Sequence, residues 1–241
     1  MDEPQQYPVF IPIRDRLSCL LELLAWLEAA GQREIWLIDN DSTYAPLLQF
    51  LEGTQHHVVR TGRNMGHRSP WLSGTVQRQA HGRYFIVTDP DVVPDPGCPP
   101  DVLQLFRSLL DEYPHIDKAG FGLRTDDLPE CYALRDDVVD CERPFWATEL
   151  RPGILDAGID TTFAMYRPLD RRHNMLPAVR TGFPYVARHL PWYVDSANLD
   201  EEDRYYRARA DRTITNWDRE ELPWWKQRRL GPRQSPADDQ Q

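Results

Sequence analysis

The stretch "YFIVTDPDVVPDPG", residues 84–97, decides how this chain is read. An apolar run, Tyr84 through Val87, ends abruptly in Asp89-Pro90-Asp91. The proline biases Asp89 away from the helical region and towards extended backbone. In extended backbone residues i and i+2 face the same side, so the two carboxylates point together. Like charges this close repel unless a cation or a proton lies between them. A hard divalent ion, Mg2+ or Mn2+, is the economical compensation, because such ions take a few carboxylates and complete their shell with substrate phosphates. A basic side chain or water are the other candidates, and Asp-Pro-Asp is also ordinary turn chemistry. Where the pair falls in the chain favours a site.

Upstream of it, strand and helix signals alternate. "VFIPI" is a short apolar run; Leu17, Leu20, Leu21, Leu24 and Leu27 follow at helical spacing, with Asp15 as N-cap and Gly31 as stop. "EIWLIDN" reads as a second strand, "YAPLLQFLEG" as a short helix and "HHVVRT" as a third strand. "SPWLSGTVQRQA" reads as one helix with Pro70 near its first turn, and "DVLQLFRSLLDEY" as another after the fourth strand. Such alternation implies βαβ units and a mostly parallel sheet covered on both faces. Right-handed crossovers then collect the strand-to-helix loops on one edge, where α/β folds bind ligands. Each apolar run ends in polar residues: Arg14 and Arg16, then Asp39-Asn40-Asp41, then residues 64–68, then Asp89 and Asp91. One polar strand end is a turn; four in order point to a site.

The chain has 241 residues, a formal net charge of −10 and 27% charged residues, which argues against a general nucleic-acid binder. No apolar segment approaches the roughly 20 residues of a membrane span, since "CLLELLAWLEAA" is broken by Glu22 and Glu28. The acidic start "MDEPQQYP" is unlike a signal peptide, and four cysteines without a CxxC indicate neither a zinc ribbon nor a disulfide framework. The expectation is a cytoplasmic protein with reduced thiols.

Taken in register, "PVFIPIRDRLSCLLELLAWLEAAGQREIWLIDNDST", "RTGRNMGH" and "YFIVTDPDVVPD" resemble the nucleotide-sugar-binding half of a GT-A-fold glycosyltransferase, closest in style to family 2. The resemblance implies a single-domain, Rossmann-like α/β fold. Residues 1–100 would bind the nucleotide sugar, residues 101–212 would serve the acceptor, and residues 213–241 would form an aromatic and basic tail. By this likeness Pro12 and Arg14 lie in the nucleotide-contacting loop, Asp39 contacts the base, and Asn64 and Gly66 supply an Asn-x-Gly turn. Asp89 and Asp91 hold the divalent cation against the diphosphate, His189 in "VARHLPWYVD" completes the metal site, and Asp160 stands where such enzymes contact sugar or acceptor. Family 2 enzymes commonly carry a Glu-Asp pair at a helix start ahead of any such histidine; here "DEED", residues 200–203, follows His189, which leaves the catalytic base open.

The activity implied is metal-dependent, hexosyltransferase-type transfer from a nucleotide-diphosphate sugar to an acceptor hydroxyl, with inversion. The acceptor is a carbohydrate, a lipid-linked molecule or a small molecule. Inversion needs a carboxylate to take the acceptor's proton, and Asp160 and Asp195 are the candidates, with Asp126 and Asp127 behind them. On the residues alone, Asp195 equally caps the following helix, Asp160 equally bonds Thr161 and Thr162, and His189 is equally a packed residue. Arg14, Arg16, His67 and Arg68 are either phosphate contacts or solvated charges.

Two alternatives remain: a sugar-nucleotide nucleotidyltransferase, disfavoured because "IPIRDRLSC" lacks a glycine-rich phosphate loop, and a non-catalytic nucleotide-sugar-binding domain. No G-x-G-x-x-G follows the first strand and no Walker A sequence exists, which disfavours a Rossmann dehydrogenase and a P-loop NTPase. Downstream, "AGFGLR" and "IDTTFAMYRP" read as strands joined by a loop of about thirty-five residues. In the tail, basic residues interleave with Tyr205, Tyr206, Trp217, Trp224 and Trp225, a pattern for peripheral membrane contact or for folding back over the core, and the final ten residues read as disordered.

Overall fold

A computed structural model describes residues 5–168 and 177–210. The aromatic and basic tail, residues 213–241, lies outside the described residues. Strands β1 (Val9–Ile13), β2 (Ile35–Asp39), β3 (His57–Arg60) and β4 (Phe85–Val87) alternate with helices α1 (Ser18–Ala29), α2 (Ala45–Gly53), α3 (Ser69–Leu72) and α4 (Thr75–Gln79). Then come β5 (Val92–Pro94), α5 (Val102–Glu112), β6 (Lys118–Leu123), α6 (Arg135–Glu142), β7 (Glu149–Arg151), β8 (Ile154–Leu155), β9 (Ala164–Tyr166), β10 (Ala178–His189) and α7 (Glu201–Arg209).

The strands form one ten-stranded sheet in the order β3-β2-β1-β4-β9-β6-β10-β8-β7, with β5 pairing β10. β1 runs parallel to β2 and β4, and β2 to β3. β9 is antiparallel to both β4 and β6, so β6 shares the direction of β4, and β10 is parallel to β6. The main strands therefore agree in direction and end on one edge.

Both faces are covered. Alternation along β1 sends Val9, Ile11 and Ile13 to the face packed by α1 and α5, and Phe10 to the face packed by Trp71 and Val76. On α1 the buried positions are Leu20, Leu23, Leu24 and Leu27, the i, i+3, i+4, i+7 stripe. Leu21, expected on that stripe, is exposed. The helix stops as its sequence predicts: Gly31 adopts φ 81°, and the amides of Gly31 and Gln32 bond the carbonyls of Glu28 and Leu27.

Three local expectations are corrected. Asp15 does not cap α1; its Oδ1 accepts from the amides of Thr43 and Tyr44 at 2.5 and 2.9 Å, bracing the loop into α2. "SPWLSGTVQRQA" is two short helices, because Gly74 takes φ 74° between them, and a Cβ there would meet the Arg78 guanidinium at 2.7 Å. The long connection after β6 is not structureless, since it contains α6, β7 and β8. Among the described residues no helix is long and apolar enough to cross a membrane.

Candidate active site

The polar strand ends meet as the βαβ pattern requires. At the end of β2, Asp39 is buried, and its carboxylate accepts from the Ser42 amide at 3.0 Å and from Arg60 Nη1 at 3.3 Å. Next to it the Asn40 side chain bonds the Met65 amide at 3.1 Å and Ser69 Oγ at 3.0 Å, anchoring the loop after β3. In that loop Asn64 Oδ1 accepts from the Gly66 amide at 2.9 Å and Gly66 has φ 67°, so the Asn-x-Gly turn forms as read. Pro12 lies in β1 opposite Ile38, and Arg14 donates to the Asn40 carbonyl at 3.2 Å.

The paired aspartates follow β4. Their turn is fixed from both sides, the Asp91 carbonyl accepting from the Leu190 amide at 2.9 Å and β5 pairing β10. That pairing sets Val92 against His189 and brings the imidazole to Asp91, with Nε2 3.6 Å from Oδ1. Asp89 Oδ2 accepts from Thr161 Oγ1 at 3.0 Å. Burial raises the Asp89 carboxyl well above the usual carboxylate range, and the charges of Asp91 and Asp160 raise it further against the Thr161 hydrogen bond. Asp160 itself is exposed at the rim.

Arg16 compensates part of this charge. Its side chain is 4% exposed, and Nη1 lies 3.3 Å from Asp91 Oδ2 while Nη2 lies 3.0 Å from Asp203 Oδ1. Its guanidinium also stacks over Tyr206 at 4.3 Å. Asp203 belongs to the first turn of α7, whose N-cap is Asp200, not Asp195. Asp195 accepts from the Ala197 amide in its own turn at 2.9 Å. Asp126 and Asp127 both pair with Arg124, at 2.8 and 3.2 Å. Asp89, Asp91, Asp160 and His189 thus lie near one another, and Asp203, the last residue of the "DEED" stretch at the start of α7, joins them through Arg16.

Whether these residues suit a divalent ion turns on Asp91. Its Oδ1 is buried and lacks a hydrogen-bond partner, while Oδ2 faces Arg16. A buried carboxylate oxygen left over beside an imidazole nitrogen is a ligand position in waiting. No group of three or more His, Cys, Asp or Glu side chains among the described residues is placed to hold a metal by itself. The donor set fits Mg2+ or Mn2+ shared with a substrate's phosphates, not a closed cage.

A sheet edge that gathers carboxylates, a paired arginine and an Asn-Gly turn is where α/β folds bind ligands. The glycosyl transferase family 2 profile matches residues 9–167, and the chain belongs to that family. No curated protein matches it. Among solved structures, HddC from Yersinia pseudotuberculosis complexed with GMP-PN is 15% identical, with 84% of this chain and 97% of that one covered at a TM-score of 0.44. A UDP-glucose pyrophosphorylase complexed with UDP-glucose is 14% identical, with 73% and 76% covered at a TM-score of 0.37. Likenesses this slight say nothing about the reaction.

Proposed function

We propose that this family 2 chain moves a hexose from a nucleoside diphosphate to an acceptor hydroxyl, assisted by Mg2+ or Mn2+ and with inversion. The supporting observation is the crowding of Asp89, Asp91 and Asp160 at the end of β4, with one Asp91 oxygen lacking a hydrogen bond and lying 3.6 Å from His189 Nε2. In this reading Asp89, Asp91 and His189 hold the ion, which when bound supplies Lewis-acid stabilisation of the departing diphosphate. Pro12, Arg14 and Asp39 border the nucleoside, and the Asn64–Gly66 turn approaches the donor at Gly66. Arg16 balances the other oxygen of Asp91. Asp160 takes the acceptor's proton; Asp203, tied to Asp91 through Arg16, is the next candidate, and Asp195 follows. The acceptor is a carbohydrate, lipid-linked or small molecule, and four free thiols suit a reaction in the cytoplasm.

The reading is tested by melting the protein against a panel of nucleoside diphosphates with and without Mn2+. One nucleotide should raise the melting temperature only when the ion is present, since a ligand of the native state stabilises it by mass action. Asp91→Asn should lose that response and keep the fold. Undiminished Mn2+-dependent binding by Asp91→Asn would overturn the assignment.

A further inference from the structure

Two buried cations that the reading above does not use bond the segment that carries Asp160. Lys118 opens β6 and is fully buried, and its Nζ donates to the carbonyl of Asp160 at 2.9 Å and sits 5.3 Å from the centre of the Tyr166 ring. Arg180, buried on β10, donates through Nε to the carbonyl of Gly158 at 2.8 Å. Its Nη1 pairs with the buried Glu142 at 2.8 Å, and its guanidinium lies 4.1 Å from the centre of the Phe145 ring. Both cations thus grip carbonyls in the irregular segment between β8 and β9. The next residue of that segment is Thr161, whose hydroxyl holds Asp89 at 3.0 Å.

We propose that Lys118 and Arg180 are positioning residues for the active site. They hold residues 158–161 in the place from which Thr161 orients Asp89 and Asp160 stands at the rim.

Gly158 and Asp160 are exposed residues whose carbonyls nonetheless bond buried side chains, although amides or water are the ordinary donors to such groups. An ammonium is a costly choice there. Desolvation holds Lys118 down at about 8 even though Asp160 attracts its proton. Replacing buried charge with well-packed apolar groups is often neutral or stabilising, so stability does not account for a lysine at this point. Local rules broken in this way are expected at functional sites. Of the two cations, Arg180 is balanced by Glu142, while Lys118 also feels the charge of Asp160.

The proposal rests on the reading of Asp89 as a donor-site group, but one of its measurements does not. In the full chain, Lys118→Met and Lys118→Arg are compared with wild type by melting temperature, by amide exchange over residues 157–162, and by affinity for the nucleotide that gives the Mn2+-dependent shift. Lys118→Met should melt no lower than wild type. Its residues 157–162 should exchange at least about tenfold faster, and its nucleotide affinity should fall by a similar factor, the loss expected for one charge-assisted hydrogen bond. Lys118→Arg should restore most of both.

Unchanged exchange at residues 157–162 overturns the proposal. So does a uniform acceleration across the chain with a lowered melting temperature, which is what a purely structural lysine would give. If no nucleotide binds even wild type, the donor-site reading fails, while the exchange data still decide whether Lys118 positions the segment. Should Lys118→Met not fold, Arg180→Lys serves: it keeps the charge but not the fork that reaches both Gly158 and Glu142. The same segment must then loosen, or the inference is wrong.

Discussion

Residues 9–94 and residues 118–210 deliver side chains to the same sheet edge by different means. In the first stretch, strands and helices alternate, β1 to β4 pair with one another in parallel, and each polar loop follows directly from its strand. There Asp39, Asn64, Asp89 and Asp91 follow their strands directly in chain order, although the turn of Asp89 and Asp91 is also braced by Leu190 and Thr161. In the second stretch parallel and antiparallel pairings mix, and the functional positions are held by contacts between residues far apart in sequence. Lys118 reaches across 42 positions to the Asp160 carbonyl, and Arg16 reaches across 187 to Asp203. The first half offers a cradle common to many folds of this layout. The second half completes it, and chemistry specific to this chain should be sought there.

The largest effect that could break this contrast concerns the proton acceptor. Asp160→Asn should lower kcat by about 10²- to 10⁴-fold, the usual worth of a general base, with the KM for the donor little changed. Asp195→Asn, whose carboxylate serves its own turn, should stay near wild type. Steady-state rates for Asp160→Asn, Asp195→Asn and Asp203→Asn rank the three. A collapse confined to Asp203→Asn would move the base to α7, and a collapse confined to Asp195→Asn would refute the geometry argued here.

Next in size is the buried pair of the second half. Glu142→Ala strands the Arg180 guanidinium without its carboxylate and should cost about 3–5 kcal/mol by urea unfolding. Phe10→Ala, in the regular half, should cost a comparable ~3–5 kcal/mol by opening a cavity. The two differ in rescue. Replacing Glu142 and Arg180 together by leucine and methionine should recover much of the loss, because no charge is then left unpaired. A double variant as unstable as Glu142→Ala would mean that the pair is not a closed unit.

How far the sequence reaches follows the same division. Periodicity of two and of 3.6 is local, so β1 to β4 and their flanking helices are legible, and with them the loops that end in carboxylates. The partner of those carboxylates was not, because Arg16 and Asp91 are 75 positions apart and nothing in "IPIRDRLSC" distinguishes a paired arginine from a solvated one. β10 went unassigned because Gly182 and Pro184 interrupt its period of two; the sheet absorbs them as an irregularity between Thr181 and Val186. A lysine heading the apolar run "KAGFGL" was a visible signal that went unused. Its meaning depends on what lies above it, which is tertiary information.

Asp89 offers a smaller test whose sign can be worked out. Its carboxyl keeps its proton to higher pH in the folded chain than in the unfolded one, because of burial and then of Asp91 and Asp160. Folding therefore takes up a proton, and this group's contribution falls as pH rises from the ordinary carboxylate pKa through the raised one. Asp89→Asn should melt a few degrees above wild type at neutral pH while losing ion-dependent nucleotide binding, and the gain should vanish in acid. Melting curves across pH check this, and a destabilised Asp89→Asn at neutral pH would show that Thr161 outweighs the repulsion.

The smallest effect joins the two halves directly. The N-terminus of α1 has no cap of its own, since the residue at that position is Leu17. Glu202 supplies one from α7: its carboxylate accepts from the amides of Leu17 and Ser18 at 2.9 and 3.1 Å and from Ser18 Oγ at 2.5 Å. A carboxylate there satisfies amides that the helix leaves open and sits at the positive end of its dipole. Glu202→Ala should cost about 1 kcal/mol, the usual worth of a lost N-cap, read as a lower urea midpoint at unchanged slope. Amide exchange should then quicken at the start of α1 and along α7 together, because each end is held by the other. If α1 alone responds, α7 is anchored by Arg16 and Tyr205 without help from this contact, and the regular half depends on the irregular one only through the active-site charges.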